Sequence, residues 1–571
     1  MNYFREYENI INDDDNKNEF GTLIHIDSKF YVNNKEIINN RGIVNDIVYI
    51  DNGKIIGIKE RFLENIIGIL YLDSKIKFGT IKNKSLFLFK PTNNEYPNFY
   101  IPYNNNKNNK IYVIIKFKEW KINDKLPIGN LIEVIGDVGS KEVEFEHLRN
   151  YYNIKNNNWK TDEKEIIIEK EEDYSVFSID PIGSKDIDDA FHFKILNDYF
   201  EIGIHIASPV KYFENDLSKV LDRVSTIYTP VKNYNLLPNI YSENIISLLE
   251  GKKRFAISLI INVNLKNYKI EKYELKESIV KNNKNYDYDQ FDKIFIKNKN
   301  LESFVNFSKI FFNDNFIDSH KLVEYWMINA NKIIAQYLID KKLSNLILRV
   351  HKNNDIQLDN FLFNDKKLIK YLNNKNENSA IYEIYDENLI QKHSKLDDNF
   401  YTHFTSPIRR SVDFFIHLLI IKEKDIYEFN VLKNIIDKIN IFTKNSKKFY
   451  RNIKRLDFLY SISECNNENI ITYGYIIKIT ERFIKVYIPE YELEEKIIII
   501  NKKFEKIVLK DVEKEIGINN NDVINKQVIN KITFEIDNIT KIYKLYDKLN
   551  LKLWVFTSFD NIFEKLKIEI M

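Results

Sequence analysis

The sequence predicts a multidomain α+β protein whose β-rich ends flank a mixed α/β centre, and three observations lead there. The chain has 571 residues, several times the roughly 150 that one domain usually holds. Its hydrophobic content of 44% supports a sizeable core and excludes wholesale disorder. Its apolar pattern also changes period twice along the chain, from strand-like to helical and back again.

From about residue 20 to 150, short alternating runs such as GTLIHIDSKFYVNN, DIVYIDNGKIIGIKERF and KIYVIIKFKEW are broken by Asn- and Gly-containing turns, as strands are. Two small β-barrels fit this stretch, joined near residues 85–90, with the polar run YNNNKNNK (Tyr103–Lys110) as a loop. Strands and loops alternate from about 170 to 265. Beyond 300, Leu322, Tyr325, Trp326, Ile333 and Tyr337 recur at helical spacing. SVDFFIHLLIIKEKDIYEF and VLKNIIDKINIFTKNSKKFYRNIKRLDFLYSI also read as helices, and strands return from about 469. The expected domains are 1–85, 86–165, 166–465 and 466–571.

Charge and cysteine narrow the function classes. The 85 basic and 83 acidic residues nearly cancel, so a polyanion partner depends on where the charge lies rather than on its sum. The single cysteine, Cys465, excludes an internal disulfide and a cysteine zinc cluster, which fits a reducing compartment. The N-terminal run MNYFREYENIINDDDNKNEF has no apolar core region, and FFIHLLII is far short of the roughly 20 residues that span a bilayer. An intracellular protein with no membrane partner is expected, in the cytoplasm first. Neither GDVGSK nor PIGSKD has the spacing of a phosphate-binding P-loop, so nothing points to ATP.

The segment IDPIGSKDIDDA places Asp180, Asp186, Asp188 and Asp189 within ten residues. Carboxylates this close raise one another's pKa unless the loop is fully solvated or a cation sits among them. A solvated acidic turn and a site for Mg²⁺ or Mn²⁺ both fit; an EF-hand does not, because its regular alternation and closing Glu are missing. Two hundred residues on, YTHFTSPIRRSVDFFIH sets Arg409 and Arg410 at the start of a helix, where guanidinium forks grip phosphates. Either motif alone has a bland reading. Together they pair a metal site with a phosphate clamp.

DPIGSKDIDDA and YTHFTSPIRR resemble the two most diagnostic motifs of the RNase II/RNase R (RNB-domain) exoribonucleases. IGIHIASPVKYF, STIYTPVKNYNLLP, LVEYWMINAN and LRVH follow in that family's order, and the N-terminal part resembles its exosome-type branch, whose endonuclease domain is not expected here. The resemblance implies OB-type, cold-shock-like barrels flanking a central RNB catalytic domain, and an S1-like barrel at the C-terminal end. It implies processive 3′→5′ hydrolysis of single-stranded RNA to nucleoside 5′-monophosphates, using Mg²⁺ or Mn²⁺. It makes Asp180, Asp186, Asp188 and Asp189 metal carboxylates, with Asp188 the most critical, and Arg409 the stabiliser of the scissile phosphate. Arg410 is implied to grip adjacent backbone, Tyr228 to stack on a terminal base and Glu324 to contact the 3′ ribose. His205 and His351 read as structural hydrogen-bonders. The sequence departs from the family at Ser208, Ser411 and Leu418, where Asp, an aromatic and Arg are usual. A monomer is expected, with components of an RNA-degradation complex as candidate partners. The rival reading is an inactive RNB scaffold that binds RNA.

Overall fold

The computed structural model describes residues 19–571 apart from 27–28, 75, 77, 105–108, 122, 156–158, 160–170, 231, 352–364, 377–379, 397–399, 465–468, 481–482, 499–505, 520–521, 537–538 and 556–565. All but the last two residues of the acidic N-terminal run, together with Cys465 and the middle of the Tyr103–Lys110 spacer, lie outside these residues. The chain divides into two compact units, Met1–Ile154 with Arg451–Met571, and Lys155–Tyr450.

The first unit is β-rich. Strand Ile47–Asp51 pairs with Glu19–Thr22 and with Lys54–Glu60, beside a three-stranded meander from Ile24 to Ile37, and Leu23, Val32, Val48 and Ile55 fill the core between them. A second, six-stranded sheet is centred on Lys110–Glu119, which pairs with both Ile66–Tyr71 and Ile128–Asp137. Strand Ile66–Tyr71 precedes the expected junction near 85–90, yet its hydrogen bonds run to this second sheet. The alternation that marks a strand gives no hint of which sheet will take it. Near the C-terminal end, Leu493–Ile498, Phe483–Ile488, Ile470–Ile479, Lys548–Val555 and Leu566–Ile570 form a five-stranded sheet in that order.

The second unit is built on a closed barrel of β1 (Val176–Asp180), β2 (Asp189–Ile195), β3 (Tyr199–Ala207), β4 (Lys253–Asn264) and β5 (Ile270–Asp287). Parallel pairing of β1 with β5 closes it. β1, β3 and β4 are mostly buried and rich in Ile, Val and Phe, whereas β5 alternates Lys and Glu along a largely exposed face. Phe177, Phe191, Phe200 and Phe304 pack with Trp326, and the rings of Phe200 and Phe307 stack at 3.8 Å. One position in β3 must be glycine: a Cβ on Gly203 would lie 2.1 Å from the imidazole of His192 on β2.

Helices cover the barrel. α1 (Ser319–Asp340) starts at Asp318, whose carboxylate accepts from the Lys321 N–H at 2.9 Å, and it buries Leu322, Trp326 and Ala330. Of the five residues that predicted it, Leu322 and Trp326 are fully buried and the others partly so. β6 (Ile347–Val350) pairs with β7 (Ile381–Ile384). α2 (Ser411–Lys422) ends at Glu423, which takes the left-handed conformation at φ 50°, so the helix is shorter than the apolar run suggests. α3 is one helix from Phe429 to Glu464.

Candidate active site

The acidic loop hangs between β1 and β2. Pro181 ends β1, and Gly183, at φ +78°, supplies the left-handed residue that turns the chain back. Asp180 therefore sits at the end of one strand and Asp189 at the start of the next. Asp180 Oδ2 accepts from Ser178 Oγ at 2.7 Å, and Asp186 Oδ2 accepts from the Tyr228 hydroxyl. Asp188 is 3% exposed, with both oxygens engaged: Oδ1 accepts from the Ile408 N–H at 2.9 Å and Oδ2 from Arg409 Nε at 3.1 Å. Asp189 Oδ2 is buried and has no hydrogen-bond partner among the described residues.

The arginine segment is held just as firmly. Arg409 Nη2 donates to Ser406 Oγ at 2.8 Å, and Arg410 Nη2 donates to the fully buried Asp413 at 2.7 Å. Behind it runs Val224–Thr226, where the Ser411 N–H donates to Val224 O and the Thr226 N–H to Arg409 O. Val224 makes a γ-turn at φ 65°, ψ −59°, closed by Ser225 N–H donating to Arg223 O at 2.8 Å. That conformation is strained for a β-branched residue and is tolerated because the flanking bonds over-determine it.

The four aspartates, Tyr228, Glu324, Arg409 and Arg410 all line one cavity of about 1020 Å³. Burial raises Asp180 to about 6 against its Ser178 bond, and Asp186 pushes it the same way. Burial raises Asp188 to about 7 although Arg409 opposes the shift. Asp189 is pushed well above the carboxylate range by burial and by its neighbours Asp180 and Asp188. Tyr288, also in the wall, is pushed up to about 12 by burial and by Asp189. Among the described residues, no three His, Cys, Asp or Glu side chains are already drawn together as a metal cage. The donor set nonetheless suits a hard cation: it is all carboxylate, its negative charge is costly as it stands, and Asp189 Oδ2 is an unused buried acceptor.

Every residue singled out in the sequence as a site residue faces this cavity. The histidines held back from catalysis are hydrogen-bonded in the interior: His205 Nε2 meets His192 Nδ1 at 2.7 Å, and His351 Nδ1 meets Ser394 Oγ at 2.5 Å. Ser208, Ser411 and Leu418 are buried and do not line the cavity, so these departures fall in packing. The sequence reading missed Arg349, Asn331, Tyr401 and His403, which also line the cavity. Arg349 lies in the quoted LRVH and His403 in YTHFTSPIRR, but a lone charged residue within an apolar strand does not say which way it points.

Comparison with known proteins defines the class. The RNB domain profile matches residues 169–311 and 306–424, and the profile of the Dis3-like cold-shock domain 2 matches residues 86–153. The chain thus carries an RNB domain, preceded by a Dis3-like cold-shock domain. It is 23% identical to the exosome complex exonuclease RRP44 of Mus musculus over 77% of this chain and 55% of that protein. The chain spans about half the length of the curated relatives it matches. In fold it is similar to Mycoplasma genitalium RNase R in complex with ribose-methylated single-stranded RNA, with a TM-score of 0.71, 16% identity, and coverage of 97% of this chain and 100% of that one. It is similar also to yeast Ssd1, described as a pseudonuclease, with a TM-score of 0.70, 14% identity, and coverage of 97% and 96%.

Proposed function

We propose that the chain is a 3′→5′ exoribonuclease that hydrolyses single-stranded RNA processively to nucleoside 5′-monophosphates with a divalent cation, Mg²⁺ or Mn²⁺. The observation that carries this reading is a cluster of carboxylates, Asp188 buried and the other three half-buried, facing an arginine clamp across one cavity. Asp180, Asp186 and Asp189 would hold the cation, with Asp188 beside them. Such an ion supplies Lewis acidity and lowers the pKa of the attacking water. Arg409 is aimed by Ser406 and Asp188 so that its remaining N–H groups meet the non-bridging oxygens of the scissile phosphate. Arg410 takes the adjoining backbone. Tyr228, 38% exposed and bonded through its hydroxyl to Asp186, offers a ring face to a base, and stacking tolerates any sequence. Glu324 on α1 accepts from the 3′-terminal ribose, where 2′-hydroxyl contacts separate RNA from DNA. Family members named for the exosome make an RNA-degradation complex a candidate partner. No described helix is long and apolar enough to cross a membrane.

A second reading, an RNA-binding scaffold without catalysis, is favoured by the fold likeness to a pseudonuclease. Against it, this chain keeps all four aspartates and both arginines, a charge crowd that a scaffold would have no use for. The test is a time course on 5′-labelled single-stranded RNA with Mg²⁺, beside the DNA equivalent and an EDTA control. Release of 5′-monophosphates down to a short end fragment, blocked by EDTA, is expected. Binding without degradation in either Mg²⁺ or Mn²⁺ would establish the scaffold.

A further inference from the structure

Asp188 and Asp413 pair with Arg409 and Arg410, which leaves a third guanidinium at the cavity unaccounted for. Arg349 sits on β6 between the fully buried Leu348 and Val350. Its backbone N–H donates to Tyr401 O at 2.7 Å, and its guanidinium lies 4.4 Å from the centre of the Tyr382 ring. Nη1 is buried with no hydrogen-bond partner among the described residues. Burial lowers its pKa, and among the described residues that act on its charge the only other formal charge is the cation Arg410. Holding a partly buried cation beside a second one, with no anion against it among the described residues, is expensive.

A place for that anion is open next to it. Arg349, Arg409 and Arg410 line not only the main cavity but also a side pocket of about 310 Å³, closed by Tyr382, His403 and Tyr450. Arg410 Nε is a second buried donor without a partner among the described residues. His403 cannot supply the negative charge: its Nδ1 meets the Tyr382 hydroxyl at 2.7 Å, and burial among these arginines keeps it neutral. The pocket is at the lower end of the size of small-ligand sites, large enough for a phosphate with part of its nucleoside. Tyr382, lying against Arg349, holds the fork in place before any ligand arrives.

We propose that Arg349, together with Arg410, forms a binding site for a phosphate group other than the one being cut, where the cavity opens into this side pocket. The inference rests on the exoribonuclease reading for its ligand class. Its two sources are an internucleotide phosphate of the bound RNA and the 5′-phosphate of a released mononucleotide.

The first arm uses the full chain carrying Asp188→Asn, which halts degradation, with and without Arg349→Met. Binding of a labelled 15-nucleotide single-stranded RNA is followed across salt concentration. If the site takes RNA backbone, the added Arg349→Met weakens binding about tenfold or more and flattens the logarithmic salt slope by about 0.7, one phosphate's worth. The second arm titrates inorganic phosphate and adenosine 5′-monophosphate calorimetrically into the Asp188→Asn protein with and without Arg349→Met. If the site takes a mononucleotide, the RNA slope is unchanged and the heat of AMP binding is lost. Unchanged RNA affinity and slope together with unchanged phosphate and AMP binding overturn the proposal. Arg349→Lys, which keeps the charge, is expected to retain the slope; a slope as flat as that of the Met variant would assign Arg349 to structure instead. Without RNA, Arg349→Met should melt no lower than its parent, because it removes a buried cation that has no anion against it among the described residues. Should the Asp188→Asn protein bind no RNA at all, the exoribonuclease reading fails while the phosphate arm still decides the pocket.

Discussion

Asp188→Asn separates charge from shape at the centre of the site. The isostere keeps the oxygen that accepts from the Ile408 N–H, loses the negative charge facing Arg409, and cannot ionise. In the folded protein Asp188 titrates at about 7 rather than 3.8, mainly through burial. The folded state therefore keeps a proton that the unfolded chain has already released between about pH 4 and 7. Stability falls as pH rises through that window, and the full cost stands above it. About three pKa units at ~1.4 kcal/mol each set a ceiling of roughly 4 kcal/mol at pH 8, a cost the Asn variant does not carry. In EDTA, Asp188→Asn should melt several degrees above the unmodified protein at pH 8, with the gap closing towards pH 5. Mg²⁺ should raise the unmodified protein towards the variant by mass action. RNA binding, followed by fluorescence anisotropy, should persist while turnover is lost. A variant that melts below its parent at pH 8 in EDTA would show that the Arg409–Asp188 pair outweighs the charge crowding, and would sink the electrostatic reasoning.

Tyr228→Ala should lengthen the residual oligonucleotide resolved on a sequencing gel; an unchanged end product removes the stacking role. Turnover in Mg²⁺ should fall as pH drops through the range set by Asp180 at about 6 and Asp188 at about 7, because protonated carboxylates give up the cation; initial rates from pH 5 to 8.5 check this, and a flat profile refutes it. Trp326→Ala removes a fully buried side chain whose Nε1 donates to Ser308 Oγ at 3.0 Å, and should cost roughly 3–5 kcal/mol by chemical denaturation.

How much of this was legible in the sequence depended on whether the signal was local. Asp180 to Asp189 read as a site because the whole charge conflict lies within one loop, and the loop meets Arg409 in the folded chain. Helix α1 was legible because Leu322 and Trp326 recur with its period. The closure of the barrel was not: β1 and β5 are about a hundred residues apart, and a parallel pairing leaves no turn to announce it. Nor was the allegiance of Ile66–Tyr71, which either neighbouring sheet could have taken. Arg349 escaped because its meaning lies in what surrounds it, a tyrosine face and a second arginine, and neither is adjacent in sequence.

The contact between Gly203 and His192 carries a lesson for comparing relatives of this chain. A single added carbon at position 203 would occupy space the imidazole already fills, so neither site is free to drift by itself. In any related chain with bulk at 203, a small residue is expected at 192, and a ring at 192 forecasts glycine opposite. The pair behaves as one inherited character, and reading it as such checks whether a distant sequence has been aligned in the right register across β2 and β3.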